Sequence, residues 1–538
     1  MNERDRRHVW VGAVVIASVL LASWHSGVEF GALADSGGWA SFGELVSGLL
    51  APDLSDHFVA RIGALAVESL LIGVLGTALA VVLAAVLAIA AARMPAITDD
   101  PAARPLATWT ASAVRATARG VLAFFRSVPE IIWAFLFVRV FGLGPGPAVF
   151  AIAITFSGII GKLFAELIEA ADPEPARRMH GSGAGGVAVF VFSVLPLVRR
   201  QWVAYALFRL ECAIRSASIL GIVGAGGLGQ EIDLSMRYFQ YDKLATALLA
   251  VLAYVVVLEL ASIALRRARP AWPISVFAAG AIAGAAVLDI PWGELFDDAS
   301  LDQVGAFLTG FSNPTTDWAF IENAFDLVLV TVSMAWVATV LAAVSALALA
   351  PMAAITFTIR GYLADAPHGH GWTWWLFLLV LVPARICLQI TRALPELVWA
   401  LLFIVWVGPG ITAGVLALAV HTIGILGRLY SDALEEAEPG PPRAIEASGA
   451  GPFARYLYGV FPQALPRMLA FTLFRFEVNV RAAAMVGFVG AGGLGDALHT
   501  AISLFHMRDL AALLALTLVV VVAVDALGDR IRMRLLRD

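Results

Sequence analysis

The sequence predicts an all-α polytopic membrane protein with about twelve transmembrane helices, arranged as two parallel six-helix repeats. Three observations predict it. Of 538 residues, 60% are hydrophobic and 14% charged, and the mean hydropathy is +0.84; a soluble domain carries about a quarter charged residues, so water is not this chain's main solvent. Apolar runs such as Leu70–Ala92, Leu244–Leu265, Leu327–Ala350 and Leu510–Leu527 approach or exceed the roughly 20 residues with which a helix crosses a bilayer core. Finally, the chain repeats itself at an offset of 266 residues: "GIVGAGGLG" starts at Gly221 and "GFVGAGGLG" at Gly487.

Taken in order, the first repeat (1–269) reads as spans at about 9–24, 62–92, 121–141, 147–169, 200–222 and 244–265. The second (270–538) reads as about 274–290, 323–350, 386–406, 411–430, 466–488 and 509–528. The joint lies near "RRARPAWP", residues 266–273. Arg126–Gly229 aligns to Arg392–Gly495 without a gap, with about four positions in ten identical, whereas the outer spans share hydrophobicity more than identity. An even number of spans gives both repeats the same orientation, so they are related about an axis along the membrane normal. A transport pathway is expected between them.

Charge sets the orientation. Arg93, Arg104, Arg115 and Arg119 fall in the first interior loop, Arg177 and Arg178 in the next, and Arg266, Arg267 and Arg269 after the sixth span. Arg530, Arg532, Arg534 and Arg537 close the chain, while no Lys or Arg occurs between Arg269 and Arg360. The positive-inside bias then places both termini in the cytoplasm, and a multi-pass location in the cell (inner or plasma) membrane is expected. Val11–Ala22 has the length of a signal-peptide core, but no clear small-x-small cleavage pattern follows, so it reads as an uncleaved first helix. Cys212 and Cys387 occupy non-equivalent positions in the repeats and lack metal-ligand neighbours; they read as packing residues, with neither a disulfide nor a metal site expected.

Gly224, Gly226 and Gly229 spell G-x-G-x-x-G, as do Gly490, Gly492 and Gly495. A dinucleotide fingerprint needs a preceding strand and an acidic residue some 20 positions on. Here a helical span precedes the glycines and another follows. Glycine allows positive φ and close backbone approach, so the run, with Gly227 and Gly493, reads as a helix break at the outer face. It serves either as a tight turn or as a hinge or contact loop. "SGIIGKLF" lacks the glycine spacing and the Ser or Thr of a phosphate-binding loop, so the chain is expected to carry no ATPase and to bind no cofactor itself. Nothing in its sequence calls for nucleic acid.

Ionisable residues inside spans are costly and usually face a bundle interior or watery cavity. The repeat supplies Arg126, Glu130, Arg209, Glu211 and Arg215, with counterparts Arg392, Glu396, Arg475, Glu477 and Arg481. Arg126 and Glu130 are four apart, placing them on one helical face as a structural pair. Arg215 and Arg481 lie deeper, with Glu211 and Glu477 four residues earlier. They either pair with those carboxylates or meet a tetrahedral anion, which guanidinium groups suit. Trp133 and Trp399 would line the same path or serve as aromatic core.

"FFRSVPEIIWAFLF", the "EASGAG…FPQALP" loop and "IRSASILGIVGAGGLG" resemble the permease subunit of phosphonate importers, within the type I ABC importer permeases. The resemblance covers most of each half and implies the type I importer permease fold, with two permeases fused in one chain. It also implies a cytoplasmic ATPase dimer that uses ATP, an exterior substrate-binding protein, and phosphonate, phosphite or phosphate as cargo carried by alternating access. Members of this family dock onto their ATPases through a loop with E-A-A-x-x-x-G. The two counterparts here, Asp172–Pro196 and Glu438–Pro462, keep Ser182 and Gly183, and Ser448 and Gly449, but replace the Glu by Arg177 and Arg443. That departure leaves an inherited Glu contact with the ATPase open. A methionine-type or other small-solute importer permease and an ion-coupled secondary transporter stand as alternatives.

Overall fold

Proline and glycine punctuate long apolar runs in this chain, and several helices begin or end where they stand. The computed structural model describes residues 3–93, 105–267, 271–290, 312–355 and 372–535, together with 292–293, 297–298, 302, 304–305 and 309–310. No strand occurs among the described residues. The "HGHGWTWW" stretch, residues 368–375, begins outside them.

In chain order the helices are α1 (Glu3–Ser26), α2 (Ser36–Leu49), α3 (Asp56–Ala91), α4 (Pro105–Ser127), α5 (Glu130–Phe141), α6 (Pro145–Glu169) and the short α7 (Pro173–Gly181). They continue with α8 (Leu195–Leu220), α9 (Leu228–Arg237), α10 (Tyr241–Arg267), α11 (Ala271–Val287) and α12 (Trp318–Ala353). The remainder are α13 (Trp372–Ala393), α14 (Glu396–Val407), α15 (Ile411–Glu435), the short α16 (Gly440–Ala447), α17 (Phe461–Val486), α18 (Leu494–Ser503) and α19 (Met507–Leu535).

Among the described residues, seven helices are long and apolar enough to cross a membrane. Three bent helix pairs and two shorter apolar helices, Ala13–Ser26 and Ser275–Val287, occupy the other expected spans. The third span of each repeat departs from the straight helix the sequence suggests. It bends by 89° between α4 and α5 and by 96° between α13 and α14. Pro129 and Pro395 stand at the N-caps of α5 and α14; proline has no N–H to donate and pushes the residue before it out of the helical region.

The chain packs as two compact units, Ser47–Pro314 and Met1–Val46 with Thr315–Asp538. In the first, α3 packs along α6 and α8 where side chains are smallest. A Cβ at Gly76 would lie 2.9 Å from Ile152, and one at Gly73 2.6 Å from Ile214. Close backbone approach of this kind gives membrane helices their packing energy. The helix α11 lies along the same α3, with Gly284 facing Leu71 and Leu75. In the second unit, Ala342, Ala346 and Ala350 of α12 pack with Leu426 and Tyr430 of α15. There α1 runs along α12, with Trp336 Nε1 donating to Ser18 Oγ at 3.1 Å, and Trp39 and Phe42 of α2 pack on Trp406 of α14.

Packing therefore divides the chain differently from the sequence boundary at 269/270. Helix α1 joins the unit built on the second repeat, and α11 the unit built on the first. Each is a short apolar helix whose buried face is completed by the long second span, α12 or α3, of the other repeat.

Candidate translocation and coupling sites

The duplicated glycine run is a helix break anchored to a neighbour. Gly224, Gly226 and Gly227 have φ of +87°, +78° and +73°, and Gly490, Gly492 and Gly493 have +95°, +75° and +72°. Only glycine adopts such values readily, so α8 and α17 stop there and α9 and α18 start. A Cβ at Gly229 or Gly495 would instead strike the carbonyl oxygen of Ser218 or Ala484. The turn is pinned to the second span: Leu228 N donates to Ser69 Oγ and Leu494 N to Thr331 Oγ1, both at 2.9 Å.

The "GIIG" and "GILG" motifs have a packing role as well. A Cβ on Gly158 would sit 2.6 Å from Arg126 N, and one on Gly424 2.5 Å from Arg392 N. These glycines let the fourth span press against the third at its bend.

That bend separates residues the sequence put on one face. Arg126 ends α4 and Glu130 opens α5, so the two lie on different helices. Glu130 Oε1 accepts from Ser216 Oγ of α8 at 2.7 Å. Its counterpart Glu396 lies 3.4 Å from His421 Nε2, whose Nδ1 stands 2.9 Å from the Leu394 carbonyl oxygen. Trp133 is buried among Phe124, Phe125 and Phe137, and its indole N–H has no acceptor among the described residues. Trp399 stacks on Phe403 and donates to the Thr391 carbonyl oxygen at 3.1 Å.

The symmetric arginines and carboxylates have different surroundings in the two repeats. Glu477, buried on α17, meets Arg532 of α19 at 3.2 Å, so it has an ion-pair partner on another helix as well as Arg481 within electrostatic reach. Arg209 donates through Nε to Tyr205 OH at 2.8 Å and lies over the Tyr205 and Phe208 rings. Arg215 is half-buried with Nε lacking a partner among the described residues, and Glu211 is half-buried one turn before it. Arg481 is half-buried within electrostatic reach of Arg475 and Glu477.

The second unit also holds a buried polar cluster that repeat-based reading misses. Arg475 Nη2 donates to Asn479 Oδ1 at 3.3 Å, Thr422 Oγ1 donates to the same oxygen at 3.0 Å, and Asn479 Nδ2 donates to Thr339 Oγ1 at 2.9 Å. At the 266-residue offset, Ala213 stands for Asn479, Phe156 for Thr422 and Thr155 for His421. Only Arg209 keeps the charge, and it has turned to an aromatic neighbour.

Two short helices match the expected coupling loops. α7 is capped by Asp172, whose Oδ1 accepts from Glu174 N at 3.0 Å. It ends with Ser182 Oγ donating back to Met179 O, and α16 ends with Ser448 Oγ donating to Ile445 O. Gly183 and Gly449 follow at φ +89° and +82°, the left-handed residue that closes many helices. The repeated "SGAG" is thus a helix stop. Ala176 and Pro442 bury the inner face, while Arg177 and Arg443 are exposed.

Just before each short helix stands a duplicated clasp that charge patterning alone disguises as positive-inside residues. Arg119 donates through Nε to the Ala91 carbonyl at 3.0 Å and through Nη2 to Glu169, whose Oε1 also accepts Arg93 N at 2.7 Å. Arg385 does the same with Ala353 O at 2.9 Å and Glu435 Oε1 at 3.0 Å, and that oxygen accepts Ile355 N at 2.8 Å. The end of the second span is thereby tied to the end of the fourth. The recurrence of Arg119 at Arg385 and of Glu169 at Glu435, both offset by 266, is the signal in the sequence.

Several known proteins are similar to this chain. The family model described as binding-protein-dependent transport system inner membrane component matches residues 102–271 and 382–537. A phosphate-import permease protein of Mycolicibacterium smegmatis is 33% identical over 500 residues, 91% of this chain and 88% of that protein. A phosphite transport system permease protein of Stutzerimonas stutzeri is 36% identical over 257 residues, 47% of this chain and 87% of its own. An Escherichia coli K12 protein, provisionally named as a cryptic phosphonate transport system permease, is 47% identical over 117 residues, 22% of this chain and 96% of its own. With two family matches on an all-helical chain rich in apolar spans, this is a multi-pass membrane protein of the binding-protein-dependent transport system inner membrane component family, the permease subunits of ABC importers and not enzymes.

Proposed function

We propose that this chain is the permease of an ATP-driven importer for a phosphorus oxyanion: phosphate, phosphite or a phosphonate. Its two repeats supply the translocation pathway and work by alternating access. The observation that carries the reading is the matched pair of exposed short helices, α7 and α16, one per repeat, each closed by the same Ser-Gly stop. An importer whose chemistry is done elsewhere needs one such docking surface for each ATPase of a dimer. The substrate class rests on the relatives, which are named for phosphate, phosphite and phosphonate transport.

In this reading the exposed Arg177 and Arg443 face acidic surfaces on the ATPases, an exterior binding protein delivers the anion, and both termini lie in the cytoplasm with α7 and α16. Arg215 and Arg481 soften the anion's passage. A guanidinium offers the planar, permanently charged donors that a tetrahedral oxyanion accepts, and Arg215 has an Nε lacking a partner among the described residues.

The test is ATP hydrolysis by the chain reconstituted in lipid with its ATPase and binding protein, adding phosphate, phosphite, methylphosphonate or methionine singly. Stimulation by a phosphorus anion is the expected result. Stimulation by methionine alone would overturn the substrate class, and failure of any ATPase to associate would overturn the importer reading.

A further inference from the structure

We propose that the unit built on the first repeat carries a binding site for one anionic phospholipid, in a slot between α3, α6, α8 and α11. The slot is a cavity of about 260 Å³ lined by Val81, Phe164, Trp202, Leu207 and Phe277, with the exposed Arg199 on its wall. Every lining side chain but Arg199 and the indole is hydrocarbon or a plain aromatic ring. The slot therefore suits an acyl chain and offers little to a polar solute.

Two features set it apart from ordinary lipid-facing surface. Trp202 is 9% exposed and stacks flat on Phe164, ring centroids 4.1 Å apart and 3° from parallel, which holds the slot open as a rigid wall. Its indole N–H is buried without an acceptor among the described residues, so a lipid ester oxygen entering the slot would be the first it meets. Trp and Arg near the end of a span occupy the depth at which lipid headgroups and ester groups lie. Arg199 is one turn of helix beyond Pro196, where the coupling loop ends, and one turn before Trp202. It stands where a phosphodiester would be if the acyl chain ran along α8.

The second repeat shows that this is not a general property of the fold. At the 266-residue offset Leu465 stands for Arg199 and Met468 for Trp202. Arg467, two residues on from Leu465, is paired with Glu436. The charge and the indole are present together in one repeat only. Charge selects the lipid class: a basic residue near the surface contributes about 1 kcal/mol toward an anionic lipid, which is about fivefold in affinity.

The experiment is tryptophan fluorescence of the full chain in vesicles containing increasing fractions of dibrominated phosphatidylglycerol or dibrominated phosphatidylcholine. The Trp202 component is obtained by subtracting the Trp202→Phe variant. That component should be half-quenched at about fivefold lower mole fraction of phosphatidylglycerol. Arg199→Gln should bring the two lipids together, and Arg199→Lys should keep part of the preference, which shows that a loss in the Gln variant is not misfolding. Equal quenching by both lipids in the unaltered chain, or an unchanged preference in Arg199→Gln, would overturn the proposal. So would a Trp202 component that neither lipid quenches, because the slot would then be covered by protein. None of these outcomes depends on which anion the importer carries.

Discussion

Arg385 Nη2 lies 3.0 Å from Glu435 Oε1, 50 residues away in sequence, and the pair recurs as Arg119 and Glu169 at the same separation. In both copies the carboxylate also accepts a backbone N–H just past the end of the second span, and the guanidinium also caps that span's last carbonyls. One carboxylate therefore accepts from a backbone N–H and a guanidinium, and the guanidinium takes up a carbonyl that a helix end would otherwise leave to water.

Removing that carboxylate should cost stability. In Glu435→Ala the Ile355 N–H and the Arg385 guanidinium both lose their acceptor in a half-buried setting, worth about 1–3 kcal/mol. Glu435→Gln should cost less, since its amide oxygen still accepts from Ile355 N. Thermal unfolding in detergent measures both, and a Glu435→Ala chain as stable as the unaltered one would show that the clasp is not structural. Glu169→Ala should behave alike, with a smaller effect because Arg119 is the more exposed of the two arginines.

Much of this arrangement was legible in sequence, though unevenly. Among the described residues seven apolar spans, and three more as bent pairs, were, because a run of about 20 apolar residues has few other fates. The bends at Pro129 and Pro395 were visible as prolines, but the apolar residues on either side made one span look continuous, and Arg126 and Glu130 looked like neighbours on one helix when the bend puts them on two. Which unit α1 and α11 join was not legible, since hydrophobicity says that a helix is buried and not against what. The Asn479 cluster was hidden for the opposite reason: searching for matched residues discards whatever only one repeat has. Arg481 is the neighbour that sequence offers Glu477, whereas Arg532, its ion-pair partner, lies 55 residues on in another helix and has no local signal.

Charge reversal on the short helices should separate coupling from folding. Arg177 and Arg443 are exposed, and surface substitutions of this kind usually change stability by less than about 0.5 kcal/mol. Arg177→Glu and Arg443→Glu should each leave thermal unfolding where it was and weaken ATPase association by about tenfold, or ~1.4 kcal/mol. The double variant should lose substrate-stimulated ATP hydrolysis. Co-purification and ATPase assays read this directly, and unchanged association in the double variant would remove these arginines from the docking surface.

The deeper arginines should affect flux and not assembly. Arg215→Gln retains an amide donor but loses the charge, and uptake of radiolabelled phosphate into proteoliposomes should fall by about tenfold, the scale of losing a charge-assisted hydrogen bond. Arg481→Gln should fall less, because neighbouring Arg475 still supplies positive charge. ATPase association should be normal in both. Full uptake in the Arg215→Gln, Arg481→Gln double variant would mean that neither contacts the anion.

The glycines allow a comparison between two physical reasons for the same residue. Gly495 has an ordinary φ, but a Cβ there would lie 2.0 Å from the Ala484 carbonyl oxygen. Backbone would have to move, so Gly495→Ala should destabilise by about 3 kcal/mol or more, the upper range of overpacking. Gly449 has open space around it and φ +82°, so alanine there meets only the left-handed backbone cost of about 1–2 kcal/mol. Asparagine tolerates that conformation better than alanine, so Gly449→Asn should recover part of the loss while Gly495→Asn should be worse than Gly495→Ala. Thermal unfolding of the four variants decides the matter. If Gly495→Ala were the milder of the two alanine changes, the α17–α18 break would not be the close-packed turn described here, and its glycines would need another explanation.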